Sequence, residues 1–192
     1  MPPKIKVTEE QIIQAALKLT RLSGIESVNA RAIAKELNCS IQPIFKNFET
    51  MGSLKKHLND KAQSIYDEYT QKGMESNPNP FLGIGLGYIK FAQEEKNLFK
   101  LLFMTNEFKQ TGLIQLIKDD ENQEIVTLVS QISGLNMHKA EQLFIDIWLT
   151  THGIASMIAT NDLELTVTEI TKILIDAFSG FKYQLQNEGE TL

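Results

Sequence analysis

Apolar residues recur along this chain at spacings of three and four, and no run alternates with period two between hairpin turns. That period predicts an all-α protein. The first helix has a complete start signal. Val7 is placed as a hydrophobic staple to Ile12, Thr8 as the N-cap, and Gln11 at the third position of a capping box, so the helix should begin at Glu9. Ile12, Ala16 and Leu19 form an apolar row beside Ile13, Leu17 and Thr20, and Gly24 stands where a left-handed C-cap would end the helix.

Asn29 is an N-cap for a short second helix whose inner face is Ile33, Ala34 and Leu37, ending at Asn38, which tolerates the left-handed conformation. Ser40 is expected to cap the next helix. Pro43 then falls in a first turn, where its missing N–H has no intrahelical partner to lose, and Ile44, Phe45 and Phe48 should face inward. Two short helices joined by a tight turn have the spacing of a helix-turn-helix. By pattern alone, any small helical bundle could contain the same feature.

A fourth helix, about residues 51–75, carries Leu54, Leu58, Ala62, Ile65 and Tyr69 on one face and would bridge the head to the rest of the chain. Asn77 to Pro80 breaks it, with Asn79 and Pro80 as cap and first position of the next. Further helices are expected near residues 81–94, 98–104, 112–132, 138–159 and 167–186, the last opened by a Thr166/Glu169 capping box. Gly83-Ile84-Gly85-Leu86-Gly87 lacks both a preceding strand and dinucleotide-loop spacing, so close helix packing is the better reading.

The net charge of −5 argues against nucleic acid only if it is evenly spread. It is not. Residues 1–61 hold ten Lys or Arg against six Asp or Glu, net +4, and the remainder nine against eighteen, net −9. A basic head on an acidic body fits a DNA-binding module joined to a domain that does not bind DNA. The single cysteine, Cys39, permits no disulfide framework, and no second His or Cys stands at ligand spacing from His152, so no metal or cofactor is expected. Lys4 and Lys6 precede no apolar run, and the most apolar segment, residues 143–159, contains Asp146 and His152 and falls short of a normal membrane span. A cytoplasmic protein without membrane insertion is the expectation.

Ile13, Ala16, Leu17, Leu19, Gly24, the run Asn29-Ala30-Arg31-Ala32-Ile33-Ala34, Leu37-Asn38-Cys39-Ser40, Ile44-Phe45-Lys46-Asn47-Phe48 and Leu54 together resemble the N-terminal signature of the TetR family of transcriptional repressors. The resemblance is dense over about residues 8–58 and thin beyond. It implies a three-helix DNA-binding head at residues 1–50 and a helical ligand-binding and dimerisation domain at residues 51–192. Three positions depart from the common pattern: Phe45 replaces a usual Tyr, Asn47 a common His, and Met51 a common Lys.

By position on the recognition helix, Gln42 and Pro43 would read base edges, with Ile41 against a thymine methyl. Asn29, Arg31, Ser40, Phe45, Lys46, Asn47 and Lys55 would lie along phosphates or groove edges. The partner is then double-stranded DNA with a palindromic operator, read by a homodimer whose recognition helices are about 34–36 Å apart.

In the body, Tyr88, Phe91, Phe99, Phe103, Met104, Phe108, Phe144, Trp148, His152 and Met157 are candidates to line a cavity for an unknown small, largely apolar effector, or to be ordinary core. The helix at 138–159 is apolar on nearly every face. The last helix carries Ile170, Ile173, Leu174, Ala177, Phe178 and Phe181, and the resemblance makes these two helices the dimer interface. The leading function is a repressor, not an enzyme, whose effector tilts the fourth helices and lowers operator affinity. A DNA-binding dimer without an inducer, acting through a protein partner, is the alternative. A helical enzyme using His152 with Asp146 is remote, because six residues do not share a helix face.

Overall fold

The Thr8 side chain accepts from the Gln11 backbone N–H, and the Gln11 side chain accepts from the Thr8 N–H, so two donors that a helix start leaves open are satisfied reciprocally. In the computed structural model, which describes residues 7–104 and 120–187, this box opens α1 (Glu9–Ser23). A 3-10 turn (Ile25–Ser27) follows, then α2 (Ala30–Glu36), α3 (Gln42–Asn47), α4 (Met51–Ser76), α5 (Pro80–Glu94), α6 (Lys96–Phe103), α7 (Asp120–Ser133), α8 (Met137–Asn161) and α9 (Val167–Asn187). Among the described residues there is no strand, as the apolar period predicts.

Several predicted boundaries need correction. Gly24 does close α1, with its N–H bonded to the Thr20 carbonyl; its φ of 77 is positive, but its ψ of 170 is not that of a left-handed helical cap. Only a residue without Cβ adopts that conformation cheaply. Asn38 is left-handed at φ 49, one residue beyond the Leu37 C-cap of α2. Ser40 does not cap α3: the N-cap is Ile41, in helical conformation, with no side-chain cap bond. The Pro43 ring supplies the helical φ in the first turn instead. Of the helix expected at residues 112–132, residues 112–119 lie outside the described ones.

The chain divides into two compact units, which do not coincide with a cut at residue 50. The first comprises residues up to 67 together with the segment beginning at Glu95, so α6 belongs with the head. Its interior holds Ile12, Ala16, Ile33, Ile44, Phe48, Leu54, Leu58, Ala62, Leu98 and Phe99, all 2% exposed or less. The Arg21 guanidinium donates from Nε and Nη2 to the Glu95 carboxylate at 2.6–3.1 Å, and Asn97 Nδ2 donates to the Arg21 carbonyl, fastening α6 to α1. Those partners are 74 and 76 residues apart, and no local pattern announces them.

The second unit is built around α8, which packs against α5, α7 and α9. Its core gathers Phe81, Val126, Val129, Leu143, Phe144 and Ile147, with Ala177, Phe178 and Phe181 of α9 packed against it. At 25 residues α8 is longer than the apolar segment suggests, and by length and composition it could cross a membrane. Among its apolar residues Leu143, Phe144, Ile147, Ala155, Ile158 and Ala159 are buried, whereas Leu149 and Met157 are exposed.

Within this unit the last two turns of α4 cross α5 at backbone contact. A Cβ at Gly83 would overlap the Gly73 carbonyl, and one at Gly87 would overlap the Tyr69 carbonyl. Backbones come this close because α5 lacks a Cβ at both contacts, and at the first α4 lacks one too, at Gly73. The predicted close packing of the glycine run is therefore what the structure contains at Gly83 and Gly87. Tyr69 then donates to Glu94 Oε2 at 2.6 Å along the same seam.

Further along, Tyr88 of α5 and His152 of α8 share a hydrogen bond between the phenol and Nδ1 at 2.8 Å. The His152 ring stacks on Trp148, one turn earlier, at 4.9 Å and 5°. Burial holds the imidazole below its ordinary pKa, because the interior disfavours the charged ring.

Both packings have consequences for stability. In an open helix Gly→Ala gains about 1 kcal/mol, but Gly83→Ala must push α4 and α5 apart, and a loss of at least about 2 kcal/mol in urea unfolding is expected. A stability equal to or above that of the unaltered chain would refute the crossing. For His152, the neutral ring's contribution is complete above the unfolded-state pKa and is lost as pH falls through the lowered folded-state value. Between about pH 7 and about pH 5 the melting temperature of the unaltered protein should fall more steeply than that of His152→Gln. Parallel curves would show that the ring does not titrate with unfolding.

Candidate nucleic-acid interface

The head builds its outward surface by burying the opposite one. Ile33 of α2, Ile44 of α3 and Phe48 just beyond it are 0–2% exposed, and each buried side chain of this size stabilises by roughly 1.5–3 kcal/mol. The turn between α2 and α3 is closed by backbone bonds: Cys39 N–H to the Ala34 carbonyl and Asn38 N–H to the Lys35 carbonyl. What remains facing water on α3 is Gln42, Phe45, Lys46 and Asn47, preceded by Ser40 and Ile41.

Not every expected contact residue is equally available. The Asn29 side-chain Oδ1 accepts from the Arg31 and Ala32 backbone N–H groups, so that oxygen caps α2. Asn47 Nδ2 donates to the Pro43 carbonyl at 2.6 Å and approaches the Val7 carbonyl at 3.4 Å, tying the end of α3 to the segment before α1. Phe45, expected to face inward, is 45% exposed. Pro43 and Lys55 are half-buried, whereas Arg31, Ser40, Gln42 and Lys46 are exposed. Among the described residues Arg31, Lys35, Lys46, Lys55 and Lys56 form no ion pair, while Lys18 is held by Glu36 at 2.5 Å. Unpaired cations around an exposed short helix can meet phosphates without first breaking an internal bond.

The second unit contains a partly open cavity of about 340 Å³ between α5, α8 and α9. Phe81, Leu82, Ile147, Leu174 and Phe178 provide apolar walls, Asn79, Thr151 and Ser179 provide hydroxyl and amide groups, and Gly85 lets Leu174 approach α5 closely. None of the aromatic and Met candidates that lie among the described residues lines it. Phe91 and Phe99 are fully buried, and Tyr88 and Phe144 are 4% exposed. Phe99, Phe103 and Met104 belong to the other unit, where Phe103 packs edge-on to Tyr66. Met104 and Met157 are 47% and 49% exposed, and Phe108 lies outside the described residues. Trp148 and His152 are engaged with each other and Tyr88.

The α9 stripe is likewise divided. Ile170 and Leu174 are 2% and 3% exposed within the single chain, and Leu174 and Phe178 line the cavity. Ala177, Phe178 and Phe181 pack partly against the unit's own core. Ile173 remains outward, as do Ile175 and Tyr183 on α9 and Leu149 and Met157 on α8. Among the described residues no group of three His, Cys, Asp or Glu side chains could hold a metal ion.

No protein-family model matches the chain. It is 20% identical over 160 residues to the uncharacterized HTH-type transcriptional regulator YobS of Bacillus subtilis (strain 168), covering 82% of this chain and 78% of that protein. A solved protein of unknown function from Rhodococcus sp. RHA1 matches 96% of this chain and 98% of its own, with a TM-score of 0.69 and 17% identity. A TetR-like transcriptional regulator from the same organism matches all of both chains, with a TM-score of 0.59 and 12% identity. The fold is thus the all-helical one of a TetR-like regulator.

Proposed function

We propose that this chain is a sequence-specific DNA-binding transcriptional regulator, acting as a homodimer and serving as a repressor released by a small, largely apolar effector. The observation that carries this reading is the exposed row on and before α3: Ile41, Gln42, Phe45 and Lys46 face water above the buried Ile33, Ile44 and Phe48. A rod of this size held clear of its domain fits the major groove. The unpaired cations of α2, α3 and α4 and the basic balance of residues 1–61 supply the sequence-independent attraction. The likeness to HTH-type and TetR-like regulators points the same way.

The exposed apolar residues of α8 and α9 support association of two copies, because two-fold pairing hides such a surface and presents two heads to one duplex. The cavity of about 340 Å³ supports the effector: it falls in the size range of small-molecule sites, and its walls are mainly apolar with a few polar groups to orient a ligand. An effector that favours one arrangement of the dimer must weaken DNA binding by the same factor by which DNA weakens effector binding.

Band-shift titrations with DNA from around the protein's own coding region test the reading. Selective retention over random competitor is expected, and equal affinity for both would end it. Lys46→Ala should weaken binding to every sequence alike and make the slope of log K against log salt shallower by about one for each phosphate that Lys46 neutralises. A slope identical to that of the unaltered protein would remove Lys46 from the phosphate-binding set.

A further inference from the structure

Phe45 and Ile41 are each 45% exposed. The Phe45 N–H lies 3.4 Å from the Ile41 carbonyl, so the two residues are one helical turn apart and their side chains share a face. Gln42 and Lys46, also four apart and both exposed, form a second row beside them. The helix that the proposed function puts in the major groove is therefore half apolar on its free surface. Arg is absent from α3, and its one cation, Lys46, lies in the last turn.

The major groove gives these side chains a definite counterpart. Guanine offers two acceptors and is read best by Arg or Lys, adenine offers an acceptor and a donor that suit Gln, and thymine offers a 5-methyl that apolar surface covers. Cytosine instead presents an amino donor, which an Ile or Phe side chain would desolvate without replacing its hydrogen bond. A face with Ile and Phe beside Gln thus favours A·T pairs and penalises G·C pairs at the same positions.

We propose that Ile41 and Phe45 are specificity-determining residues that select thymine 5-methyl groups, with Gln42 reading a neighbouring adenine, so that each head recognises an A·T core. This rests on the DNA-binding reading above. Phe45 takes its part because it lies outside the core.

The test enriches bound sequences from a random duplex pool with the full-length protein, then replaces each thymine of the selected site in turn with deoxyuridine, which lacks only the methyl. An A·T core should emerge, and uracil at two positions per half-site should weaken binding about fourfold to tenfold. Ile41→Ala and Phe45→Ala should each erase the uracil penalty at one of those positions while the melting temperature stays unchanged. A G·C core, or a selected site that accepts uracil everywhere without loss, overturns the proposal and leaves the DNA-binding reading standing. A pool with no enriched sequence overturns that reading and the proposal together. Because the uracil series uses the unaltered protein, it decides the matter even if a variant fails to fold.

Discussion

A helix of six residues has no stability of its own in water, since nucleation costs more than one turn of hydrogen bonds returns. The existence of α3 therefore depends on the burial of Ile44 within it and of Phe48 and Ile33 on either side. Everything that the head offers outward is set by that one-sided burial. Once those three side chains point in, the helical period forces Gln42, Phe45 and Lys46 to point out. The surrounding elements serve the same constraint: Asn29 starts α2, Pro43 preshapes α3, and Asn47 bonds back to the Pro43 and Val7 carbonyls.

The two units use polar chemistry in opposite ways. In the head, cations near α3 stay unpaired and solvated, which costs little and keeps them available to phosphate. The ion pair between Arg21 and Glu95 instead holds α6 to α1. In the body, several polar groups that enter the interior are tied to neighbours, whereas the Ser156 hydroxyl is buried without a partner. Tyr88 and His152 satisfy one another, and Thr151 bonds the Ile147 carbonyl. The His152 imidazole is stacked on Trp148 and hydrogen-bonded to Tyr88, and burial lowers its pKa.

Glycines set the spacing of the body. Where α4 meets α5, Gly73, Gly83 and Gly87 bring backbones into contact, and Gly85, on another face of α5, meets Leu174 and Thr151 at the cavity. One short run of alternating glycines thus serves both a tight crossing and an opening. The proposed effector site draws on the second of these, and α4 contributes residues to both units.

Local signals in the chain determined the elements. The capping boxes at Thr8 and Thr166, the caps at Asn29 and Asn79, the left-handed Asn38 and the three-to-four period each act over at most one turn, and each was readable without neighbours. The row of exposed residues around α3 was legible for the same reason, apart from Phe45. Tertiary structure decided what distance along the chain conceals: that α6 packs with α1, that Phe91 and Phe99 are core, and that the cavity between α5, α8 and α9 has Phe81 and Phe178 in its walls rather than Tyr88, Phe91 or Phe144. An aromatic side chain looks the same in sequence whether it fills an interior or lines a hole. The difference is the presence or absence of a partner from a remote helix, and only the folded arrangement of those helices supplies it.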